Sequence, residues 1–386
     1  MIMLRFLYKN KIYDTDFPKL FEQGGLAQHV DIPRLESGLQ SGAFWSAFMP
    51  CPSNGSDFSD EAYAPIVRAT LEQLDLFHRL ASQYPKYFTP TRDSAHAHAA
   101  FKAGRFISPV IIEGLHQIGN SLSTLRLYHQ LGVRYATLSW NCHNRYVDAA
   151  VTSDPESGKF VRSSPLWHGV SSAGQQLIKE MNRMGMIVDL AHVSVDTMRE
   201  VLSGNDTKGF NGSVAPPIFS HSSVYSICPH PRNVPDDILK LVKERESLVM
   251  INFSPDFVSC EPSDDGTGIP KFCEKNNTLA QVVRHIMYVG EMIGYDYVGI
   301  GTDYDGIENT PRGLEDVSKF PDLVAELLKQ GVSDVDAGKI VGRNLLRVWR
   351  EVDEVAARLQ KTMHPVEDDI KLGGFEVDAY EEHLEL

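Results

Sequence analysis

The sequence predicts an α/β protein, a (β/α)8 barrel of the TIM type. Short apolar runs alternate with amphipathic helical patterns from about residue 40 to residue 350. The runs are rich in β-branched residues and lack polar alternation, as expected for strands buried on both faces. The chain has 386 residues, 42% of them hydrophobic, so it can bury a large core. This many strand–helix units in one run favours a barrel over an open sheet.

Seven apolar runs are candidates for the barrel strands. They are residues 44–48, PVIIEG (109–114), RYATLSW (134–140), GMIVDLAH (185–192), PPIFSHSS (216–223), SLVMINFS (247–254) and YVGIGTDYDG (297–306). A closed barrel needs eight strands, and the first helical pattern, around MLRFLYKN, has no strand in front of it. We therefore expect the first barrel strand to be missing from this chain, which would leave two unpaired sheet edges.

Helical patterns lie between the runs. They cover residues 61–84, 123–132, 172–185, 194–204, 235–245 and 279–294. Gly132, Gly185 and Gly204 stand where helices are expected to stop, and Pro235 suits a first helical turn. We interpret residues 1–350 as a single barrel catalytic domain. Residues 351–386 are then a C-terminal helix, EVDEVAARLQKT, followed by an acidic tail.

Charge and hydropathy exclude several classes of partner. Thirty-seven Lys and Arg residues against fifty-one Asp and Glu residues give a net charge of −14. Such a field repels phosphate backbones, so we expect no nucleic-acid partner. No apolar stretch approaches the roughly 18–20 residues of a membrane span. The apolar run at the N-terminus is too short for a signal peptide, so we expect a cytoplasmic protein if Met1 is the true start. It would be secreted if an upstream signal peptide is missing.

Three residues that end different apolar runs suggest a metal site. Glu113, His192 and His221 would meet at one mouth of a barrel, where reactive residues cluster. One carboxylate and two imidazoles suit zinc and leave positions open for water and substrate. Zinc lowers the pKa of a bound water to about 7 and polarises a carbonyl. Taken singly, the glutamate could instead be a solvated or capping group, and each histidine a hydrogen-bonded core residue.

Two further charged residues lie where reactive residues of a barrel are expected. Arg232 lies eleven residues after His221, just before a helix that starts with proline. Its planar fork suits a substrate carboxylate, although a surface salt bridge fits the pattern equally well. Asp303 ends the last run together with Asp305, and this pair could instead cap the following helix.

Four long motifs then point to a family. IIEGLH, GMIVDLAHVSVDTM, IFSHSSVYSICPHPRNVPDDILKLVK and GTDYDGIENTPRGLEDVSKFPDL closely resemble the membrane (renal) dipeptidase family of zinc peptidases, in particular its fungal-type members. The resemblance runs from about Phe17 to Trp349. It implies a metal-dependent hydrolase barrel with two zinc ions that hydrolyses dipeptides to free amino acids.

By position, the resemblance also implies roles for single residues. Glu113 resembles the carboxylate that bridges both metals, and His192 and His221 resemble the imidazoles of one metal. Arg232 resembles the residue that binds the C-terminal carboxylate of the substrate. Asp303 resembles the residue that holds the free amino group and handles the proton. A substrate fixed by charge at both termini must be about two residues long.

The resemblance further implies two disulfides. Cys51 and Cys142, and Cys228 and Cys260, fall where secreted members of the family form disulfide bonds. An intracellular relative could keep these pairs reduced.

Two departures from the family pattern affect the expected site. The family's first strand ends in a His-x-Asp motif that completes the second zinc site, and no such motif precedes Phe17. The simplest hypothesis is a start codon or gene model placed too far downstream, and the alternative is a natural open-barrel variant. Ser139-Trp140 stands where the family has a Thr-His whose imidazole stabilises the oxyanion. Loss of one such donor typically costs on the order of 10²–10³ in rate.

Three functions therefore stay open at the level of sequence. The first is a zinc-dependent dipeptidase, acting as a monomer or a homodimer. The second is a catalytically impaired homologue that serves as a binding protein. The third is a specialised amidohydrolase that trims Cys-Gly-type conjugates in secondary metabolism. Metal content separates the first two, and assays on dipeptides and on Cys-Gly conjugates separate the first from the third.

Overall fold

A computed structural model describes residues 7–368, and its centre is a parallel sheet of seven strands. In chain order these are β1 (Trp45–Ala47), β2 (Val110–Glu113), β3 (Val133–Thr137), β4 (Ile187–Asp189), β5 (Ile218–Phe219), β6 (Leu248–Ile251) and β7 (Val298–Ile300). Each strand pairs with the next one along the chain. Every predicted run contains one of these strands, so the strand prediction is confirmed.

The sheet curves as part of a barrel but does not close within the described residues. There, β1 pairs only with β2 and β7 pairs only with β6. The fold is therefore an α/β barrel type whose central sheet has seven strands in residues 7–368, one fewer than a closed (β/α)8 barrel has.

Helices connect the strands, and the six predicted between them begin and end close to the predicted positions. They are α1 (Phe17–Gln23), α2 (Ile32–Ser37), α3 (Asp60–Gln83), α4 (Ser94–Lys102), α5 (Leu122–Gln130), α6 (Ser172–Met184), α7 (Val195–Ser203), α8 (Asp236–Glu244), α9 (Pro255–Val258), α10 (Leu279–Ile293), α11 (Phe320–Lys329), α12 (Asp334–Gly338) and α13 (Asn344–Leu359), the last preceded by a π-helical turn over Lys339–Arg343. Ser121, Ser171 and Ser194 start α5, α6 and α7, where each side chain accepts a backbone N–H hydrogen bond.

Two details of the helix predictions need correction. Pro235 occupies the position before α8 rather than its first turn, because the helix begins at Asp236. The C-terminal helix begins at Asn344 and so crosses the predicted boundary at residue 350. The division into two parts stays a prediction. The acidic tail beyond residue 368 and the first six residues of the chain lie outside the described residues.

Successive residues of the strands enter two different apolar clusters, as the pleat requires. Val110 and Ile112 join the large cluster formed with the connecting helices. Ile111 and Tyr135 join a second cluster with Trp349 of α13, so this helix covers the other face of the sheet. None of the helices in the described part of the chain is long and apolar enough to cross a bilayer.

The loops that follow the strands contain two antiparallel hairpins and are cross-linked by two disulfides. One hairpin after β3 pairs Val151–Ser153 with Phe160–Arg162, and one after β6 pairs Cys260–Glu261 with Lys271–Phe272. The structure forms both implied disulfides, Cys51–Cys142 and Cys228–Cys260, and leaves Cys273 as a free thiol. Both bonds connect loops at the carboxyl edge of the sheet, which is also where the candidate site lies.

Candidate metal centre

The structure brings the three predicted metal ligands together at the carboxyl edge of the sheet. Glu113 is the last residue of β2, and His192 and His221 follow β4 and β5. The Nε2 atoms of both histidines lie 3.0 and 3.3 Å from Oε1 of Glu113. The two Nε2 atoms lie 3.0 Å from each other. His192 has a φ of 69°, a left-handed conformation that costs a non-glycine residue on the order of 1–3 kcal/mol.

Hydrogen bonds on the far side of each ring fix which nitrogen carries the proton. Nδ1 of His192 lies 2.9 Å from Oδ1 of Asn141, an acceptor, so Nδ1 is the protonated atom. Ser220 donates its hydroxyl proton to the carboxylate of Asp189 at 2.6 Å and therefore accepts from Nδ1 of His221 at 2.7 Å. Both histidines consequently present a lone pair at Nε2.

Three electron-pair donors thus converge on one point. Two imidazole lone pairs and a carboxylate oxygen about 3 Å apart repel one another unless a cation lies between them. This donor set and its second layer of hydrogen bonds suit a bound metal ion. A second close group, Cys51, Cys142 and His116, is unsuited to a metal because its sulfurs form a disulfide.

Without a metal ion, only a proton can offset the repulsion between these three donor atoms. Burial acts to raise the pKa of Glu113, but the two imidazoles outweigh burial and hold it well below its usual range. Burial and Arg232 lower the pKa of His192, which stays neutral. Burial opposes protonation of His221 too, yet the carboxylates of Asp303 and Glu113 raise its pKa. Metal and proton therefore compete for the same atoms, and metal binding should weaken in acid.

Arg232 is a buried cation with unused donors beside this cluster. It lies in the loop between β5 and α8 and is only 3% exposed, which excludes the surface salt bridge. One guanidinium nitrogen contacts the carbonyl oxygen of His221 at 3.4 Å, and Nε has no partner. The guanidinium lies 5.0 Å from the ring of Phe257, and within residues 7–368 no carboxylate forms an ion pair with it. Burial lowers the pKa of Arg232 to about 10, so the side chain is charged and available for an anion.

Asp303 lies directly after β7 and does not cap a helix. Its Oδ2 accepts a hydrogen bond from the side-chain amide of Asn252 at 3.4 Å. Burial raises its pKa, and Glu113 adds to this effect while His221 and Arg232 oppose it. Neighbouring Asp305 is bound by His29 instead: Asp305 accepts from the backbone N–H of His29 and donates its own N–H to Nδ1 of that ring.

The remaining histidines of these loops have structural roles. His116 contacts the carbonyl oxygen of Met49, and burial lowers the pKa of His116 to about 4. Nδ1 of His143 accepts from the backbone N–H of Ala149 and lies 3.2 Å from Oδ1 of Asp148. His230 accepts the backbone N–H of Arg232 at 3.1 Å and so helps to hold the loop that carries this arginine.

Comparison with known proteins identifies the family. The model of the membrane dipeptidase family, peptidase family M19, matches residues 5–363. The chain belongs to this family. It is 44% identical to dipeptidase aclJ of Aspergillus oryzae over 96% of this chain and 80% of that protein. It is 41% identical to an uncharacterised dipeptidase of Schizosaccharomyces pombe over 95% of this chain and 82% of that one.

Solved structures of metallopeptidases share the fold. Dipeptidase AC, a metallopeptidase of family M19, superposes with a TM-score of 0.73 at 23% identity over 91% of this chain and 95% of that chain. A metallopeptidase of Rhodobacter sphaeroides, solved with a phosphinate mimic of the dipeptide L-Ala-D-Ala, gives a TM-score of 0.71 at 22% identity over 90% and 97%. The predicted family and barrel type are therefore confirmed.

Membership makes the protein a peptide-bond hydrolase and implies a bound metal. The convergent donor atoms of Glu113, His192 and His221 fit such a metal. Sequence reasoning missed the residues that orient the imidazoles: Asn141, Ser220 and Asp189. The sequence offered a signal for Asp189, inside the run VDLAH, and for Ser220, next to His221. Polar residues inside or beside a buried strand need hydrogen-bond partners.

Proposed function

We propose that this M19 peptidase is a zinc-dependent dipeptidase that hydrolyses dipeptides to free amino acids. One observation carries the proposal: Nε2 of His192, Nε2 of His221 and Oε1 of Glu113 converge within about 3 Å while hydrogen bonds hold the protons on the opposite ring nitrogens. Bound there, zinc would polarise the scissile carbonyl and generate a nucleophile from water near neutral pH.

We assign a single zinc ion to the described residues. Glu113, His192 and His221 are the sole group around this point that offers three closely spaced ligands in residues 7–368. The second carboxylate oxygen of Glu113 accepts a hydrogen bond from the hydroxyl of Ser46 at 3.4 Å. If Glu113 bridged two metals, as the resemblance to the family implies, this oxygen would bind the second ion.

Arg232 and Asp303 would orient the substrate beside the cluster. The unused donors of the buried Arg232 guanidinium suit the C-terminal carboxylate of a dipeptide. The carboxylate of Asp303 suits its free amino group and can pass a proton to the leaving amine. Two charged anchors at fixed separation select substrates of about two residues. The dipeptide mimic bound by the Rhodobacter sphaeroides peptidase supports a substrate of this length.

Removal of the Arg232 charge tests the proposal. In Arg232→Met, we expect the KM for dipeptides to rise about 100-fold, equivalent to about 3 kcal/mol of lost charged hydrogen bonds. Dipeptide amides lack the carboxylate, so wild type and variant should hydrolyse them with similar KM. Arg199→Met, which removes an exposed arginine paired with Asp237 on the protein surface, is the matched control.

Two outcomes would contradict the proposal. An unchanged KM for free dipeptides in Arg232→Met would remove this arginine from the substrate site. A zinc-loaded wild type that hydrolyses no dipeptide would instead favour the impaired homologue, or a hydrolase for Cys-Gly-type conjugates if those are cleaved.

A further inference from the structure

The carboxyl edge of the sheet is divided into two chemically different halves. The charged groups Arg232 and Asp303 follow β5 and β7. Three aromatic residues follow strands at the other end of the sheet order: Phe48 after β1, and Trp140 and Phe160 after β3. Among the metal-ligand candidates, Glu113 ends β2 in the aromatic half, and His192 and His221 follow β4 and β5. A dipeptide that reaches the metal cluster with both termini in the charged half can place a side chain against the aromatic half, because Trp140 contacts the ring of His192.

The three aromatic rings form a continuous surface, which we call the aromatic wall (Phe48, Trp140 and Phe160). The ring of Trp140 lies edge-on to Phe48, with 4.9 Å between centroids. Phe160 lies 6.5 Å from Trp140 and also edge-on. The other side of Trp140 lies 6.2 Å from the ring of His192. The wall therefore runs from a residue of the metal cluster outward to solvent.

The outer end of the wall is exposed but held in place. Phe160 is 47% exposed although it belongs to a hairpin strand paired with Val151–Ser153. Two residues on, the backbone N–H of Arg162 donates to the carbonyl oxygen of Thr267 at 2.8 Å, which joins this hairpin to the loop after β6. An exposed ring kept at the rim of a site offers apolar area that a ligand can bury at little cost in conformational entropy.

We infer that the aromatic wall binds a large apolar or aromatic side chain of the dipeptide, so that such dipeptides are preferred over those with small side chains. The inference rests on the proposed dipeptidase function and specifies the substrate class of the same site. Phe48 is almost buried and supports Trp140, whereas Trp140 and Phe160 supply the contact surface. Edge-on and offset aromatic contacts add to the burial of apolar area, and both vanish for an alanine side chain.

The size of the preference follows from these contacts. A phenyl side chain that packs against two rings gains enough binding free energy to raise kcat/KM about 10- to 100-fold above the value for an alanine side chain. The gain should lie mainly in KM, because the wall contacts the side chain rather than the reacting atoms.

The experiment compares kcat/KM of the zinc-loaded protein for Ala-Ala, Phe-Ala and Ala-Phe. We expect wild type to favour at least one of the two phenylalanine dipeptides over Ala-Ala about 10-fold or more. Phe160→Ser and Trp140→Leu should each lower that ratio about 3- to 10-fold, mostly through KM. Phe101→Ser changes a phenylalanine on α4 that is 56% exposed and lies outside the wall, so it should leave the ratio unchanged.

The outcomes distinguish the inference from the function on which it rests. If wild type hydrolyses all three dipeptides with similar kcat/KM, or if both wall variants keep the wild-type ratio, the inference is overturned and the dipeptidase stands. If wild type hydrolyses none of them, the proposed function fails first. Because Trp140 lies beside His192, zinc content is measured for each variant, and Phe160→Ser decides the result if Trp140→Leu loses metal.

Discussion

Each imidazole of the metal centre depends on one neighbour for its orientation. Asn141 holds Nδ1 of His192, and the pair Ser220–Asp189 holds Nδ1 of His221. Such outer partners fix the tautomer, so that Nε2 is free to bind metal without a prior proton shift. His192 therefore relies on a residue from the loop after β3, although it belongs to the loop after β4.

Replacement of Asn141 tests this dependence. In Asn141→Leu, Nδ1 of His192 loses its acceptor, and we expect zinc affinity to fall about 10- to 100-fold. Asn141→Asp keeps an acceptor at the same position and should bind zinc nearly as tightly as wild type. Competition with a chromophoric chelator measures both affinities. Equal affinities for wild type and Asn141→Leu would show that this hydrogen bond does not orient the ring.

Helix α6 contains a carboxylate that joins three parts of the molecule. Glu180 is fully buried and contacts Arg183 in the same helix at 2.8 Å and Arg126 of α5 at 3.2 Å. It also accepts the backbone N–H of Val366, beyond α13, at 3.1 Å. Burial acts to raise the pKa of Glu180, but Arg183, Val366 and Arg126 outweigh it and lower the pKa.

This lowered pKa predicts a pH-dependent stability. The carboxylate stabilises the folded state above its unfolded pKa, and the stabilisation is lost as the pH falls through the lowered folded pKa. In Glu180→Gln, we expect the free energy of unfolding near pH 7 to fall by about 2–4 kcal/mol, because two arginines lose their partner. The difference from wild type should shrink towards acidic pH. Denaturant titrations across the acidic range measure it.

An exposed pair of the same kind is the control for Glu180. Glu354→Gln breaks the contact between Arg350 and Glu354 on α13, where both side chains are exposed, and should cost less than about 1 kcal/mol. If Glu180→Gln were as mild as this control at neutral pH, the buried cluster would not stabilise the packing of α6.

The strands and the metal-ligand candidates could be predicted because each depends on local sequence. A β-branched apolar run predicts a buried strand, and parallel strands place their last residues at one edge, so Glu113, His192 and His221 could be brought together in advance. The burial of Arg232 could not, because it depends on the ring of Phe257, which lies in the loop after β6. Asn141 was missed for the same reason, since its position depends on how the loop after β3 folds.

Across the whole molecule, two disulfides hold the loops that form the site. Cys51–Cys142 joins residues 91 positions apart, and Cys142 follows Asn141 and Trp140 directly. Cys228–Cys260 joins residues 32 positions apart and closes the loop that contains Arg232. A cross-link stabilises mainly by restricting the unfolded chain, and the longer loop gains more.

Loss of each disulfide should therefore destabilise the protein to a different extent. The chain-entropy relation gives about 4–5 kcal/mol for Cys51–Cys142 and about 3–4 kcal/mol for Cys228–Cys260. We expect the double serine variant of the first pair to unfold at lower denaturant concentration than that of the second. Thiol titration of the denatured protein should detect the one free cysteine, Cys273, before reduction and all five cysteines after it. Five reactive thiols before reduction would contradict the bonded pairs.

The most direct measurement is the zinc content of the purified chain beside that of a His192→Ala/His221→Ala variant, both checked for folding by circular dichroism. The convergence of Glu113, His192 and His221 predicts about one tightly bound zinc ion per wild-type chain and almost none in the folded variant. A folded variant that retains the wild-type zinc, or a wild type that binds none when zinc is supplied in excess, would contradict it.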